Sequence, residues 1–416
     1  RQMCIRDRYN YFQRTINHKA MSLIQDINLK SKKALIRVDF NVPLDAAFKV
    51  TDDTRIRAAK PTILKVLEGG GSCILMSHLG RPTFNDPQFS LAHIVNSVQD
   101  VLGVKVLFSS DCVGEKAGQM ASELQPGQVL LLENLRYHKE ETSGDLKFAE
   151  KLSELADVYI NDAFGTAHRA HASTTVVAQF FPGAKCFGLL LAKEIESIEK
   201  VMTSGKKPVL AILGGAKVSS KITIIENILD KIDHLIIGGG MSFTFVKALG
   251  GQIGDSICED DKQALALEIL KIAAEKNVKV DVPVDVLAAD DFSNSANTQT
   301  VDIDAIPEHW QGLDCGPKSK AIFHKIVQEC QTILWNGPLG VFEMESFSTG
   351  TIALGCAIAE ATKNGAFSLV GGGDSVAAVK QFGFDSKVSY VSTGGGAMLE
   401  SLEGKKLPGI AAMQNN

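Results

Sequence analysis

Cross-linking chemistry is absent from this 416-residue chain: its eight cysteines (Cys4, Cys73, Cys112, Cys186, Cys258, Cys315, Cys330 and Cys356) are scattered, and no two form a C-x-x-C pair. Several sit inside apolar runs, where a reduced cysteine behaves as a small hydrophobe. That pattern excludes a disulfide scaffold and a zinc site, and points to a reducing, cytoplasmic compartment. No apolar run approaches the roughly 18 residues that a membrane-crossing helix needs. The net charge of −5 lacks the basic excess of a nucleic-acid binder. A local basic site is still open, because net charge does not say where charges lie. Two common nucleotide signatures are missing as well. G-x-x-x-x-G-K-[ST] is nowhere in the sequence, and each glycine triplet lacks the final glycine of G-x-G-x-x-G.

The first twenty residues are polar and basic, without the apolar stretch of a secretory signal. They are expected to be an extension, disordered or artefactual, with Met21 as the natural start. From there 45% hydrophobic content allows sizeable cores, and the length suits two or three domains.

Short apolar runs alternate with longer amphipathic ones. Strands are expected at 34–42, 73–77, 104–108, 129–133 and Val158–Asn161 in the first half. In the second half they are expected at Val209–Leu213, 235–237, 278–282, 332–335, Phe367–Val370 and 388–391. Helices are expected at 222–231 and 264–276. Such alternation predicts parallel sheets covered by helices on both faces. Between the halves, Leu189–Met202 reads as one amphipathic helix stopped by Gly205 and Pro208; an inter-domain connector and an ordinary surface helix fit it equally.

Ligands in open parallel sheets bind at the carboxyl ends of the strands, so the residues found there carry the functional reading. First-half strands run into Arg37-Val38-Asp39-Phe40-Asn41, Ser77-His78-Leu79-Gly80-Arg81, Glu133-Asn134-Leu135-Arg136 and the stretch from Asn161 to Arg169. Second-half strands run into Gly214-Gly215, Gly238-Gly239-Gly240, Gly371-Gly372-Gly373 and Gly394-Gly395-Gly396. One rim, with Arg37, Arg55, His78, Arg81, Arg136 and Arg169, offers forked donors for the phosphate and carboxylate oxygens of a small anionic metabolite. Taken singly, each arginine reads more readily as a surface charge or ion pair. Asp39 and Asn41 add acceptors that could orient a hydroxyl.

The other rim offers bare backbone, where N–H groups and helix starts can meet triphosphate oxygens. Gly394 to Gly396, and Gly214 to Lys217, have the form of a glycine turn opening a helix, with Lys217 and Lys221 as mobile charges. Asp374 follows a glycine triplet and reads either as a magnesium ligand or as a plain helix N-cap. Gly69-Gly70-Gly71 reads as a helix C-cap and turn. His168 and His171 lack the further ligands of a zinc site, which leaves structural or substrate-side roles.

Taken in order, these segments resemble phosphoglycerate kinase of the bacterial type. The resemblance is carried by Arg37 to Pro43, Ser77 to Pro82, Asp162 to His171, Leu213 to Val218, Gly238 to Thr244, Gly312 to Pro317, Trp335 to Glu343, Gly371 to Ser375 and Ser392 to Ala397, and runs from about Met21 to the C-terminus. It implies two similar-sized, doubly wound, Rossmann-like α/β domains joined by a hinge helix. Residues 21–188 would bind 3-phosphoglycerate, 189–204 would form the hinge, and 205–400 would bind ATP. Residues 401–416, with Leu407-Pro408-Gly409-Ile410, would pack back toward the first domain.

The resemblance places substrate on Asp39, Phe40, Asn41, Arg55, His78, Leu79, Gly80, Arg81, Arg136 and Arg169. It places nucleotide on Gly214, Lys217, Lys221, Gly238, Gly312, Asn336, Pro338, Glu343 (at the ribose), Gly372, Gly373, Asp374 and Ser375, with Mg2+ on Asp374. It also implies a cytoplasmic, monomeric glycolytic enzyme without nucleic-acid or membrane partners. Ser220 stands where many relatives carry Asp, and Ser375 where many carry Thr; both lysines and the hydroxyl are kept.

The implied chemistry is in-line phosphoryl transfer to a carboxylate. A carboxylate is already ionised at neutral pH, so no general base is needed, and positioning with charge neutralisation is enough. Arg55, Lys217 and the backbone of Gly394, Gly395 and Gly396 are the candidates for the transferring group, and domain closure would exclude water. Two other readings stay open: a kinase for a different phosphorylated acid, and a non-catalytic nucleotide-binding protein.

Overall fold

A computed structural model describes residues 22–83 and 85–414; the extension before Met21 lies outside them. Two parallel six-stranded sheets organise the chain. The first contains β1 (Lys33–Arg37), β2 (Ser72–Met76), β3 (Val106–Phe108), β4 (Val129–Leu131), β5 (Val158–Asn161) and β6 (Lys185–Phe187), in the order β3-β4-β2-β1-β5-β6. Every neighbouring pair is parallel. Its strands are buried almost throughout, which is why they read as continuous apolar runs rather than as alternation.

The second half holds β7 (Val209–Leu213), β8 (His234–Ile237), β9 (Gln252–Ile253), β10 (Lys279–Asp281), β11 (Asp285–Ala289), β12 (Thr298–Asp302), β13 (Ala305–Ile306), β14 (Gln311–Cys315), β15 (Thr332–Asn336), β16 (Phe367–Val370) and β17 (Tyr390–Val391). Six of these make the parallel sheet β10-β8-β7-β15-β16-β17. The order reverses between β7 and β15, the place where open sheets leave a crevice. A three-stranded sheet, β12-β11-β14, is antiparallel, and β9 pairs with β13. The antiparallel sheet closes its own core, Phe243, Val246, Ile253, Val286, Ala288, Ile303 and Ile306, against the helix Met241–Ala248.

Among the described residues one compact unit runs to Lys193 and resumes at Lys406, and the other is Glu194–Lys405. The boundary falls inside the helix Leu189–Met202. Within the first unit the last helix, Pro408–Gln414, is held from three sides. Gly409 donates its N–H to Ala167 O (2.8 Å), Asn161 Nδ2 donates to Gly409 O (3.3 Å) and Lys185 Nζ to Ala412 O (3.0 Å).

The first strand is shorter than the expected 34–42 and ends at Arg37. Beyond it the Phe40 N–H turns to a side chain, Ser77 Oγ at 2.8 Å, and Val42 N–H folds back on Phe40 O at 2.8 Å. The ladder is given up there to shape a loop.

Candidate active site

The carboxyl end of the first sheet gathers the basic side chains. Arg37 closes β1 and is 1% exposed, so its guanidinium needs internal partners. Nε donates to Ser173 Oγ (2.8 Å), Nη1 to Val38 O, and Nη2 meets His78 Nδ1 at 3.2 Å. Arg37 therefore belongs to the framework of the rim and not to the set of free donors expected from the sequence. Arg55, from the helix Thr54–Glu68, pairs with Asp39 at 2.9 Å and stays partly open to solvent. Arg136 Nη1 donates to Gly80 O (2.6 Å), and Asn41 Oδ1 accepts from Gly80 N–H (2.8 Å). Asn41 thus uses its acceptor to hold a loop.

That loop is clamped again by buried Asn134. Its Oδ1 accepts from Leu79 N–H (3.2 Å), and its Nδ2 donates to the carbonyls of Leu79 (2.7 Å) and Phe89 (2.8 Å). Gly80 has φ +59°, and a Cβ there would lie 2.3 Å from the Phe89 ring. A side chain is excluded on both counts.

The electrostatics show how closely the cations converge. Burial, then Arg37, Arg136 and Arg55, and the neighbouring His171, push the His78 imidazole well below its usual range. Burial, with Arg37, Arg136 and Arg169, pulls His171 down to about 4. Arg136 is itself lowered by burial, by Arg37 and by Arg81. Arg81 and Arg169 are exposed, yet both act on the buried members. The structure so brings together Asp39, Phe40, Asn41, Arg55, His78, Leu79, Gly80, Arg81, Arg136 and Arg169. Two histidines, both held below their ordinary range, sit among guanidiniums, an arrangement suited to a dense anion.

The second rim is built where β7 and β15 part. Gly214 and Gly337 touch through bare backbone: a Cβ on Gly214 would lie 2.1 Å from Pro338 O, and one on Gly337 2.3 Å from the Gly214 carbonyl. Lys221 Nζ donates to Asn336 Oδ1, and Asn336 Nδ2 donates to Gly371 O at 2.7 Å. Burial lowers Lys221, while the Asp374 carboxylate works against that shift. Ser375 Oγ accepts from Gly337 N–H at 2.6 Å. Lys221, Asn336, Gly337, Gly371, Asp374 and Ser375 thus form one cluster at the end of the sheet.

Asp374 is not the N-cap. That position belongs to Gly372 at φ +89°, and the helix Gly373–Gln381 starts before Asp374, leaving its carboxylate exposed in the first turn. Gly214 to Lys217 does not open directly into a helix either. A turn intervenes, with Ser220 Oγ donating to Lys217 O (2.8 Å), and the helix begins at Ile222 with Lys221 as its N-cap residue. Gly395 caps the helix Gly396–Leu402 at φ +42°.

The glycines sort into two groups. At Gly214, Gly238, Gly337 and Gly371 a Cβ would strike protein atoms, so tight packing explains them. At Gly215, Gly373 and Gly395 a Cβ would meet nothing within 4 Å, and the open space is free for a ligand. Gly312 is buried in β14, with Phe243 where its Cβ would be (2.4 Å). Val341 N–H donates to Leu313 O (2.9 Å), so the loop bearing exposed Glu343 is pinned beside β14, next to Gly312.

Glu194, Glu259 and Glu141 are among the buried or half-buried carboxylates that escape the sequence reading. Glu194 accepts from Ser392 Oγ (2.8 Å) and from Thr393 N–H and Oγ1 (both 2.7 Å), just ahead of Gly394. Glu194 lies on the buried stripe of its helix with Leu191, Ser197, Ile198 and Val201, so helical spacing could have flagged it. Glu259 accepts from Ser219 N–H (2.9 Å) and Oγ (2.5 Å), tying down the Lys217 loop. Glu141, fully buried, accepts from Ser173 N–H (3.0 Å) and Oγ (2.7 Å). Nothing in the polar run Lys139-Glu140-Glu141-Thr142-Ser143 announces that burial.

Comparison with known proteins gives one consistent answer. A family model described as phosphoglycerate kinase matches residues 24–405. A phosphoglycerate kinase of Porphyromonas gingivalis is 54% identical over 415 residues, covering 94% of this chain and 99% of that one. A cytosolic phosphoglycerate kinase of Triticum aestivum is 49% identical over 395 residues, covering 95% and 98%. The solved phosphoglycerate kinase of Coxiella burnetii superimposes with TM-score 0.87 at 42% identity, covering 94% and 98%. On its strand-end residues, its two parallel sheets and these relatives, the chain belongs to the phosphoglycerate kinase family.

Proposed function

We propose that the basic rim of the first unit holds 3-phosphoglycerate and the glycine rim of the second holds the nucleotide. The reaction is the one that defines this family, reversible phosphoryl transfer between ATP and the carboxylate of 3-phosphoglycerate. The observation that carries the division is the separation of cations from bare backbone. Arg55, His78, Arg81, Arg136 and Arg169 converge on one sheet end, while Gly215, Gly373 and Gly395 leave open space at the other.

Arg81, Arg136 and Arg169 would grip the substrate phosphate, and Asp39 with Asn41 would hold the loops around it. Arg55, Lys217 and the N–H groups of Gly394, Gly395 and Gly396 would meet the phosphoryl group in transfer. The attacking carboxylate is already ionised, so what these residues supply is alignment and charge neutralisation. The Lys221, Asn336, Gly372, Gly373 and Ser375 cluster would seat the phosphates, with Gly214, Gly238 and Pro338 shaping its backbone and Gly312 and Glu343 flanking the nucleoside.

A magnesium ion fits this set. Among the described residues no cluster of three or more His, Cys, Asp or Glu side chains could hold a metal alone. The single exposed carboxylate of Asp374 beside a phosphate seat suits an ion that takes most of its ligands from phosphate and water. Asp374 would hold it, and when bound it would offset phosphate charge.

With acceptor and donor sites on separate units, transfer requires closure, and we assign the helix Leu189–Met202 and the residues up to 204 as the hinge. Membership of this family supports a cytoplasmic monomer without membrane partners, and the net charge of −5 favours no nucleic-acid partner; no helix of the described residues is long and apolar enough to cross a membrane. Backbone NMR tests the division of sites. Added alone, 3-phosphoglycerate should shift resonances around Asp39, Gly80 and Arg169, and Mg-ADP those around Gly215, Gly373 and Gly395. Both ligands perturbing the same unit would overturn it.

A further inference from the structure

Behind the basic rim, one chain of hydrogen bonds has its direction forced at every link. Arginine has only donors, so Ser173 Oγ must accept from Arg37 Nε (2.8 Å). The single hydroxyl proton of Ser173 is then left for Glu141 Oε1 at 2.7 Å. The same reasoning applies at the other end of the guanidinium. Arg37 Nη2 can only donate to His78 Nδ1 at 3.2 Å, so that nitrogen carries no proton. His78 is left with one N–H, on Nε2.

Burial makes this chain costly to break. Arg37 is 1% exposed, Ser173 and Glu141 0%, and His78 3%. The buried Glu141 carboxylate and the Arg37 guanidinium bond the same Ser173 hydroxyl, and removing the carboxylate would leave that hydroxyl proton without its acceptor. Ser173 is fixed on its backbone side as well: its N–H donates to Glu141 Oε2 (3.0 Å), and its carbonyl accepts from the Tyr159 hydroxyl (2.9 Å). Ala172 N–H donates to Glu141 O at 2.9 Å. The charged and titratable groups around His78 are Arg37, Arg55, Arg136 and His171, with Asp39 Oδ1 3.9 Å from its Nδ1.

We propose that Glu141, acting through Ser173 and Arg37, is a positioning residue for phosphoglycerate that locks His78 as a neutral imidazole with its proton on Nε2. A donor of fixed identity suits an oxygen of the incoming substrate, and it is ready before binding, so no tautomer change is needed on capture. This rests on the reading that the basic rim holds phosphoglycerate.

The test uses the full chain with 15N-labelled histidine. Long-range proton–nitrogen spectra, assigned by the resonance lost in His78→Gln, report the tautomer without any ligand. The wild type should show unprotonated Nδ1 and protonated Nε2 at neutral pH. Ser173→Ala, which cuts the chain, should give a mixture of tautomers and raise KM for 3-phosphoglycerate about tenfold while KM for ATP holds; Glu141→Gln should do the same. A wild-type His78 that is doubly protonated or carries its proton on Nδ1 overturns the proposal, with no variant required. A wild-type tautomer in Ser173→Ala overturns it too. A changed tautomer with an unchanged KM for 3-phosphoglycerate overturns instead the placement of substrate at this rim.

Discussion

The Glu194 carboxylate accepts both the backbone N–H and the hydroxyl of Thr393, each at 2.7 Å, and so holds the chain that leads into Gly394, Gly395 and Gly396. Ser392 adds a third bond at 2.8 Å, and its hydroxyl accepts from Gly394 N–H at 3.1 Å. Burial raises this carboxyl above its ordinary range, against the bonds from Thr393 and Ser392 that favour the charge. The backbone proposed to meet the transferring phosphoryl group is therefore set by a side chain on the helix Leu189–Met202.

Glu194→Gln keeps the shape but turns an amide N–H2 toward donors. It should cost roughly 2–4 kcal/mol of stability. It should also lower kcat at least about tenfold with little change in KM for 3-phosphoglycerate. Steady-state kinetics with chemical denaturation reads both. A variant of wild-type kcat would separate this anchor from the chemistry.

Gly372→Ala tests the nucleotide seat. The residue has φ +89°, and an added Cβ would lie 2.4 Å from Asn336 Nδ2, the group that donates to Gly371 O. Strain of about 1–2 kcal/mol falls on the Lys221–Asn336 pair. Calorimetric titration should show Mg-ADP affinity reduced about tenfold and 3-phosphoglycerate affinity unchanged. Equal losses for both ligands would contradict separate sites.

Asp162 predicts a pH dependence of stability. Its Oδ1 accepts from Leu190 and Leu191 N–H at 3.0 and 3.2 Å, the first turn of the helix Leu189–Met202, while Oδ2 has no hydrogen-bond partner among the described residues. Burial pushes the carboxyl up to about 7 from 3.8, against bonds from Thr62, Leu191 and Leu190. The unfolded chain loses this proton near pH 4 and the folded chain near 7. Its contribution is thus full below about pH 4 and declines as pH rises to about 7, by at most about 4 kcal/mol. Asp162→Asn keeps an acceptor for the helix and removes the titration. Denaturation curves across that range should show a flatter profile for the variant, and identical profiles would contradict the assignment.

How much of this was legible in the sequence depended on which force fixed each element. The central strands of both parallel sheets are buried on both faces, so runs such as Val209–Leu213 and Phe367–Val370 declare themselves. Only β6, the three-residue edge strand Lys185–Phe187, was passed over in these sheets. The antiparallel sheet was invisible for a different reason. Thr298–Asp302 is an exposed edge rich in threonine, and Gln311–Cys315 carries glycine and aspartate, so neither has strand composition.

At the site, the gathering of Arg55, Arg136 and the glycine turns at the strand ends could be read off from residue type and position. Residues whose importance comes from burial could not. Arg37 reads like its neighbours but is consumed by internal bonds, and Glu141 reads like a surface charge. Tertiary packing assigns those roles, and one-dimensional spacing does not encode it.

The most direct measurement of the central claim is ATP-dependent acyl-phosphate formation from 3-phosphoglycerate, trapped with hydroxylamine, in wild type and Arg55→Ala. Arg55 pairs with Asp39 at 2.9 Å yet keeps part of its guanidinium open. The account predicts hydroxamate from the wild type and a loss of at least about a hundredfold in the variant, with Mg-ADP binding intact. A well-folded wild type that binds nucleotide but forms no hydroxamate would contradict it.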